Sequence, residues 1–275
     1  MRQSPRTEPE GREKEEDLSH IHVPDGVLPL WLVAVGWLAT ALVLALCLRR
    51  VAADDWTRRL PLLGVIAALM VVGMTVEIVP IGYHLNLTVV AGIVLGPALG
   101  FIAAFIVNAI LAMFGHSGVT VIGLNTLVIG SEVAVGYLLF RALLGVLSCR
   151  RVAWAAGGAT LLALMVSSLL MVALVALANV GLAAPAAASP EPLGVRNPFA
   201  NGLLVWEIFP DAEVAAPVLD VGTFARLVLA LGSIGWLIET AISGLIVAYA
   251  GRVRPDIVLP GVAPRPPIAD LERGA

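Results

Sequence analysis

The sequence predicts an all-α integral membrane protein, a seven-helix bundle with its N-terminus outside and its C-terminus in the cytoplasm. Three observations support this prediction. Of the 275 residues, 59% are hydrophobic and 13% are charged, against about 45 to 50% and about 25% in an ordinary soluble domain. Several apolar runs approach the roughly 20 residues that a helix needs to cross a bilayer. Arginines cluster at alternate connections between these runs, as the positive-inside rule requires.

Each predicted span corresponds to one apolar run. The spans, in order, are 29–48, 60–79, 85–95, 98–114, 119–147, 152–182 and 224–250. The third run would rise only about 17 Å, little more than half of a hydrocarbon core about 30 Å thick. This segment must therefore be tilted, broken or packed inside the bundle.

The arginines set the predicted orientation. The segments predicted to be cytoplasmic carry Arg49, Arg50, Arg58, Arg59, Arg141, Arg150, Arg151, Arg252, Arg254, Arg265 and Arg273. Beyond the N-terminal tail, the outer segments carry only Arg196 and Arg226. With this orientation, the four histidines of the chain all fall at outer ends of spans, which makes a shared site a hypothesis.

The segments that flank the bundle differ from it in composition. Residues 1–19 are charged and turn-prone without an apolar core, which predicts a disordered extracytoplasmic tail and not a secretory signal. Residues 20–250 form the predicted bundle, including a long Pro/Ala-rich outer loop at 183–222, and residues 251–275 form a predicted cytoplasmic tail.

The sequence argues against several classes of function. A net charge of −3 with scattered basic residues gives no support for nucleic-acid binding. There is no GxxxxGK[ST] phosphate loop and no HExxH motif, so we expect no enzyme, and any ATP-driven step would need a partner. Cys47 and Cys149 have no second cysteine at metal or redox spacing, and we predict that they pack as reduced side chains.

The stretch HIHVPDG places His20 and His22 immediately before the first span. Pro24 restrains Val23 to an extended conformation, which favours projecting both imidazoles toward the same side of a strand-like arm. Imidazole is a good ligand for first-row transition metals. The arm is therefore a candidate metal-binding segment; the alternative is two solvated surface histidines.

Two further histidines are candidate ligands. His84 directly precedes the short third span, where modest burial would draw its ring into the bundle; the alternative is a satisfied histidine at a helix start. His116 lies in a Gly-bracketed turn and is a candidate ligand or a supporting residue. Glu77 lies near the outer end of its span, where its charge could attract a cation.

Polar and small residues interrupt the apolar spans. For Asn108, Glu132 and Glu239 we predict interhelical hydrogen bonds that set the packing of the bundle, and Asn125 is a further polar interruption. The first span carries small residues that would let another helix approach closely, within the chain or on a partner. These residues are Ala34, Gly36, Thr40, Ala41 and Ala45.

Three stretches in order carry a family resemblance. They are HVPDGVLP at the first span, HLNLTVVAGIVLGPALGFIAAFIVNAILAMFGHSGVTVIGLNTL in the middle, and IETAISGLIVAYAGRVRPDI near the end. From about His22 to Asp256, the chain resembles the metal-binding membrane component of cobalt and nickel transporters of the energy-coupling factor type (CbiM/NikM).

The resemblance implies a seven-helix bundle similar to the substrate-capture components of these transporters, in the plasma membrane of a prokaryote. It implies that the transported substrate is Ni²⁺ or Co²⁺ and that there is no permanent cofactor. It implies a transmembrane coupling protein and cytoplasmic ABC-type ATPases as partners, with a small accessory membrane subunit as a further candidate partner. The family's ligands map to His22 and His84, with His20 and His116 as additional candidates. The family site combines an N-terminal amine, a deprotonated amide and imidazoles; such planar nitrogen sets suit Ni(II), Cu(II) or low-spin Co(II).

The chain departs from the family pattern at its N-terminus, because 21 residues precede His22. Three explanations are open: the tail is removed, the start is misassigned, or His20 replaces the amine as a ligand. A start at Leu18 read as methionine would give Met-Ser-His-Ile-His and restore a chelate near the amine. The intact mass of protein expressed from the native gene would decide this point.

Two rival functions make different predictions. A capture subunit for an organic micronutrient would need an aromatic-lined pocket and no His22, and only 6% of the residues are aromatic. A metal-dependent membrane enzyme would need a general base near His84, for which Glu77 is the nearby candidate.

Overall fold

A computed structural model describes residues 28–51, 53–78, 83–115, 117–147, 151–182 and 221–259. In order, the elements are α1 (Leu30–Arg50), α2 (Ala53–Thr75), β1 (Glu77–Ile78), β2 (Tyr83–His84), α3 (Thr88–Leu95), α4 (Pro97–Met113), α5 (Ile122–Leu147), α6 (Val152–Leu182), α7 (Val221–Val253) and α8 (Pro255–Val258). This part of the chain is almost wholly helical, which confirms the predicted all-α class. The predicted tail 1–19 and nearly all of the predicted loop 183–222 lie outside the described residues.

Helix α2 begins and ends earlier than the predicted span 60–79. The helix runs from Ala53 to Thr75 and includes the charged run that the prediction left outside. Pro61 lies inside it, and its missing N–H removes one helical hydrogen bond at that turn. The prediction was wrong at the other end because the chain becomes extended at Glu77, where it pairs with β2.

Helix α3 is short, and all eight of its residues are buried. It packs mainly against α4 and α5 and also contacts α2, α6, α7 and α8. The approach to α5 is close at Gly92, where an added Cβ would lie 2.5 Å from the carbonyl oxygen of Val133. Of the three arrangements that its length allowed, the structure shows a helix packed inside the bundle.

Several helices are suited to a membrane. Among the described residues, those long and apolar enough to cross one are Leu30–Arg50, Ile122–Leu147, Val152–Ala178 and Phe224–Val253. Shorter apolar helical segments run over Arg59–Thr75 and Pro97–Met113. These lengths agree with a membrane protein, whereas the number of spans and their orientation stay predictions.

Helix α1 packs against α5 through small residues. Gly36 and Thr40 are buried, and the Thr40 hydroxyl donates a hydrogen bond to the carbonyl oxygen of Gly123 (2.6 Å). A Cβ on Gly123 would lie 2.8 Å from the backbone nitrogen of Trp37, so glycine is needed for this approach. The other small residues of the predicted stripe, Ala34, Ala41 and Ala45, are exposed. The predicted close approach is therefore confirmed within the chain for only part of the stripe.

Candidate functional site

The structure tests the predicted histidine site only in part. His84 lies among the described residues, and its side chain is half-buried. His20, His22 and His116 lie outside the described residues. The gathering of these four side chains into one site therefore stays a prediction.

A short antiparallel pair of strands connects α2 to α3 and contains His84. Its register places His84 opposite Glu77 and Tyr83 opposite Ile78. Glu77 is the acidic residue predicted to attract a cation near the outer end of its span. The fold thus brings the backbones of these two candidate residues together, although seven positions separate them in the chain.

The backbone that follows His84 is held by three successive amides. The N–H of Leu85 donates to the carbonyl oxygen of Gly73 on α2 (3.1 Å). The N–H groups of Asn86 and Leu87 donate to the two carboxylate oxygens of Glu239 on α7, at 3.4 and 3.0 Å. Two different helices therefore fix the connection between His84 and the first turn of α3.

A second buried carboxylate holds the same end of α3. Glu132 on α5 accepts hydrogen bonds from the hydroxyls of Thr88 on α3 and Ser167 on α6. Glu132 and Glu239 have no exposed surface, and hydrogen bonds offset the high cost of burying such groups. The interhelical hydrogen bonds predicted for Glu132 are present, whereas Glu239 binds the backbone of the connection just before α3.

The amide side chains join a different pair of helices. The Asn108 side chain on α4 donates to the hydroxyl of Thr126 on α5 at 3.5 Å, a long hydrogen bond. Asn125 is also buried, in the first turn of α5. The interhelical hydrogen bond predicted for Asn108 is therefore present, but it does not involve α3.

Sequence reasoning missed the partners of the two carboxylates. Thr88 and Ser167, whose hydroxyls bind Glu132, were not singled out, although each is a polar residue in an apolar context. Asn86 and Leu87 bind Glu239 through their backbone N–H groups, which no side-chain pattern marks. The available signal was HLNLT, in which polar side chains alternate just before the apolar run of α3. Such residues at a helix start are often used to satisfy the exposed backbone groups of the first turn.

The described residues contain no group of three or more histidine, cysteine, aspartate or glutamate side chains that could hold a metal ion. In the predicted site, His84 is the one histidine among the described residues. The other predicted donors, His20, His22 and His116, lie outside the described ranges.

Comparisons with known proteins identify related sequences and folds. Residues 22–257 match the family model CbiM, described as the cobalt uptake substrate-specific transmembrane region. A Haloquadratum walsbyi protein whose name assigns it to metal transport is 36% identical over 126 residues, which is 44% of this chain. The matched region spans 58% of the length of that relative.

Two crystal structures share the fold. One, of a truncated transition metal transporter, has a TM-score of 0.64 at 18% identity and covers 84% of this chain and 99% of that chain. The other, of a transition metal transporter, has a TM-score of 0.59 at 18% identity, with 84% and 93% covered. At this identity the likeness establishes a common fold.

Proposed function

This chain belongs to the CbiM family of cobalt uptake substrate-specific transmembrane regions, and on that premise we propose that it captures Ni²⁺ or Co²⁺ for an ATP-driven energy-coupling factor transporter. The chain is thus a metal transporter membrane component of the CbiM type. Its own sequence carries no phosphate-binding loop, so the energy comes from partner ATPases through a transmembrane coupling protein. A small accessory membrane subunit is a further candidate partner in this proposal.

The proposed metal site uses His22 and His84 as its main ligands, with His20 and His116 as additional candidates. The observation that carries this proposal is the fixed backbone after His84, because a ligand held in place before binding loses less conformational freedom. The family match begins at residue 22, which favours His22 over His20 as the ligand from the arm.

The proposed topology has seven spans, with the N-terminus outside and the C-terminus inside the plasma membrane of a prokaryote. Helix α1 ends at Arg49 and Arg50, and Arg252 lies in the last turn of α7. The positive-inside rule places both ends in the cytoplasm, and the connection that contains His84 then faces outward. In this proposal, residues 1–19 form an outer tail, 183–222 an outer loop of the bundle 20–250, and 251–275 a cytoplasmic tail.

Metal titration of single-histidine variants tests the site. Full-length protein with its native N-terminus and a C-terminal tag would be titrated with Ni²⁺ and Co²⁺ by calorimetry in detergent. We expect His22→Ala and His84→Ala each to abolish high-affinity binding, and His116→Ala to cost less. Thermal melting without metal serves as the folding control. Unchanged binding by His84→Ala would contradict the proposed site.

The related proteins give no support to the two rival functions, capture of an organic micronutrient and metal-dependent catalysis. Both solved structures that share the fold are described as transporters, as is the family itself, which disfavours the enzyme alternative. Uptake of labelled nickel and cobalt by cells carrying the chain, with and without the partner genes, would separate the two metals and test the coupling.

A further inference from the structure

The carboxylate of Glu239 lies at the start of α3, although the residue belongs to α7. Its two oxygens accept hydrogen bonds from the backbone N–H groups of Leu87 and Asn86, which lie 152 and 153 positions away in the chain. Neither the N-cap residue Leu87 nor any neighbouring side chain caps α3 in the usual local way. Glu239 therefore binds, from a distant element, the amide of the N-cap residue Leu87 and that of the residue before it.

A carboxylate is well suited to this position. The first turn of a helix exposes backbone N–H groups without intrahelical partners and carries a partial positive charge, and an anion satisfies both. Hydrogen bonds with an ionised partner are also stronger than neutral ones. The Asn86 hydrogen bond is buried and the Leu87 hydrogen bond is partly buried, which limits the competition from water.

Leu87 shows that the connection is under constraint. Its φ is +54°, and it is the only non-glycine residue with a positive φ in the part of the chain that the structure describes. Leucine rarely adopts this left-handed conformation, which persists only where the surroundings enforce it. The hydrogen bond from the Leu87 N–H to Glu239 is one of the contacts that enforce it.

We propose that Glu239 is a positioning residue for the metal ligand His84, an inference that rests on the proposed function. His84 is fixed on one side by the strand pair and on the other by the amides of residues 85–87. Glu239 holds two of these three amides. Loss of its carboxylate releases the connection, and the imidazole of His84 then has to be ordered when the metal binds.

Glu132 offers a matched control. It is a glutamate of equal burial at the same end of α3, but it binds the side-chain hydroxyls of Thr88 and Ser167. Glu132→Gln removes a carboxylate from the interior and leaves the amides of Asn86 and Leu87 with their acceptor. A general loss of stability would affect both variants alike, whereas a positioning role is specific to Glu239.

The experiment compares Glu239→Gln, Glu239→Leu and Glu132→Gln with the unsubstituted full-length protein. Ni²⁺ and Co²⁺ affinity would be measured by calorimetry, and hydrogen exchange over residues 84–90 by mass spectrometry without metal. We expect Glu239→Leu to lose about 10- to 100-fold in affinity, as is usual when a group that orients a ligand is removed. Glu239→Gln should lose less, because its carbonyl oxygen can still accept one amide.

The two Glu239 variants should also show faster exchange of the amides at 85–87, with the larger increase in Glu239→Leu. Glu132→Gln should change affinity and exchange at 85–87 less than Glu239→Gln does, because it leaves the Asn86 and Leu87 amides with their acceptor. Equal affinity and exchange in Glu239→Leu and the unsubstituted protein would overturn the proposal. Affinity losses that match between Glu239→Gln and Glu132→Gln would overturn it too, since they indicate a general structural role. If the unsubstituted protein binds neither metal, the proposed function fails, and the positioning role fails with it.

Discussion

Helices α3 and α1 both pack against α5, but the two helices differ in length, burial and means of attachment. Helix α3 has eight residues and buries them all, whereas α1 has 21 residues and buries only Leu32, Gly36 and Thr40. The shorter of the two helices is therefore the one enclosed by the others. The longer helix presents most of its apolar surface outward, as expected for a helix in contact with lipid.

The two attachments rely on different interactions. Carboxylates from α5 and α7 hold the N-terminus of α3, and Arg59 from α2 donates to the carbonyl oxygen of Leu95 at its other end (3.5 Å). The Arg59 cation matches the sign of the helix dipole at the C-terminal end of α3. Helix α1 instead relies on small residues and two neutral hydrogen bonds, from the Thr40 hydroxyl to the Gly123 carbonyl oxygen (2.6 Å) and from the Trp37 indole N–H to the Thr120 carbonyl oxygen (2.7 Å). Neutral hydrogen bonds are weaker than those that involve a charged group. The contrast indicates that α3 is fixed in the bundle more firmly than α1.

Gly92→Ala in α3 should show the largest effect on stability. The new Cβ would lie 2.5 Å from the carbonyl oxygen of Val133, and the backbone of α5 cannot rotate away as a side chain can. We expect the free energy of unfolding to fall by about 1–3 kcal/mol, the usual cost of an overpacked core. Denaturant titration of the purified protein in detergent would measure it.

Gly36→Ala is the matched substitution in α1. Its Cβ would lie 2.4 Å from Cγ of Leu124 and 3.2 Å from the Leu124 backbone nitrogen. Another rotamer of Leu124 can relieve the closer of these contacts, so we expect the smaller loss. Gly64→Ala is the control, since nothing lies within 4 Å of a Cβ there and stability should hold or rise slightly. Equal losses for Gly92→Ala and Gly36→Ala would contradict the contrast between the two helices.

Thr40→Val should have an intermediate effect. Valine keeps the shape of the side chain but removes the donor to the Gly123 carbonyl oxygen. Because interhelical hydrogen bonds in membranes average about 0.6 kcal/mol, we expect a loss of about that size in the same titration. Thr40→Ser, which retains the hydroxyl, should recover most of it. A loss as large as that of Gly92→Ala would show that α1 is fixed as firmly as α3.

Asp256→Asn should have the smallest effect and the clearest pH dependence. Asp256 in α8, which contacts α3, pairs with Arg254 (2.9 Å), and the hydrogen bond from Arg254 lowers the pKa of the Asp256 carboxyl. A carboxyl whose pKa is lower in the folded state stabilises the protein at pH values above its unfolded-state pKa, which is about 3.9. This stability is lost as the pH falls through the folded-state pKa. The pair is partly exposed, so the contribution is small.

Thermal melting of the unsubstituted protein and Asp256→Asn from pH 7 down to pH 2 would test this. The unsubstituted protein should melt slightly higher at neutral pH, and the difference should shrink as the pH falls below the ordinary carboxyl range. A difference that grows on acidification would reverse the sign and contradict the assignment.

The positions of the helices could be predicted from the sequence, because long apolar runs mark segments that are buried away from water. Their ends were harder to predict. The charged run before Pro61 was placed outside α2, yet the helix includes it, since charged residues do not by themselves end a helix. Helix α7 similarly begins at Val221, before the predicted residue 224, because composition alone does not mark the first helical turn.

Individual residues of the candidate site could be predicted from the sequence, but the contacts between them could not. Glu132 and Glu239 stood out because ionisable residues are rare inside apolar spans. Their partners did not, since the contact from Leu87 to Glu239 joins positions 152 apart and no local pattern encodes such a pairing. For the same reason, the sequence marked five small residues in α1 but could not separate Gly36 and Thr40, which face α5, from the exposed alanines.

The distance in sequence between Leu87 and Glu239 also bears on biosynthesis. A ribosome releases the segment of α3 long before α7, so the amides of Asn86 and Leu87 lack this acceptor during most of translation. An unsatisfied amide in hydrocarbon is costly, and eight residues rise only about 12 Å. We therefore expect α3 to remain at the membrane surface until α7 has been synthesised and to insert only then. The bundle can then be completed only after translation of α7.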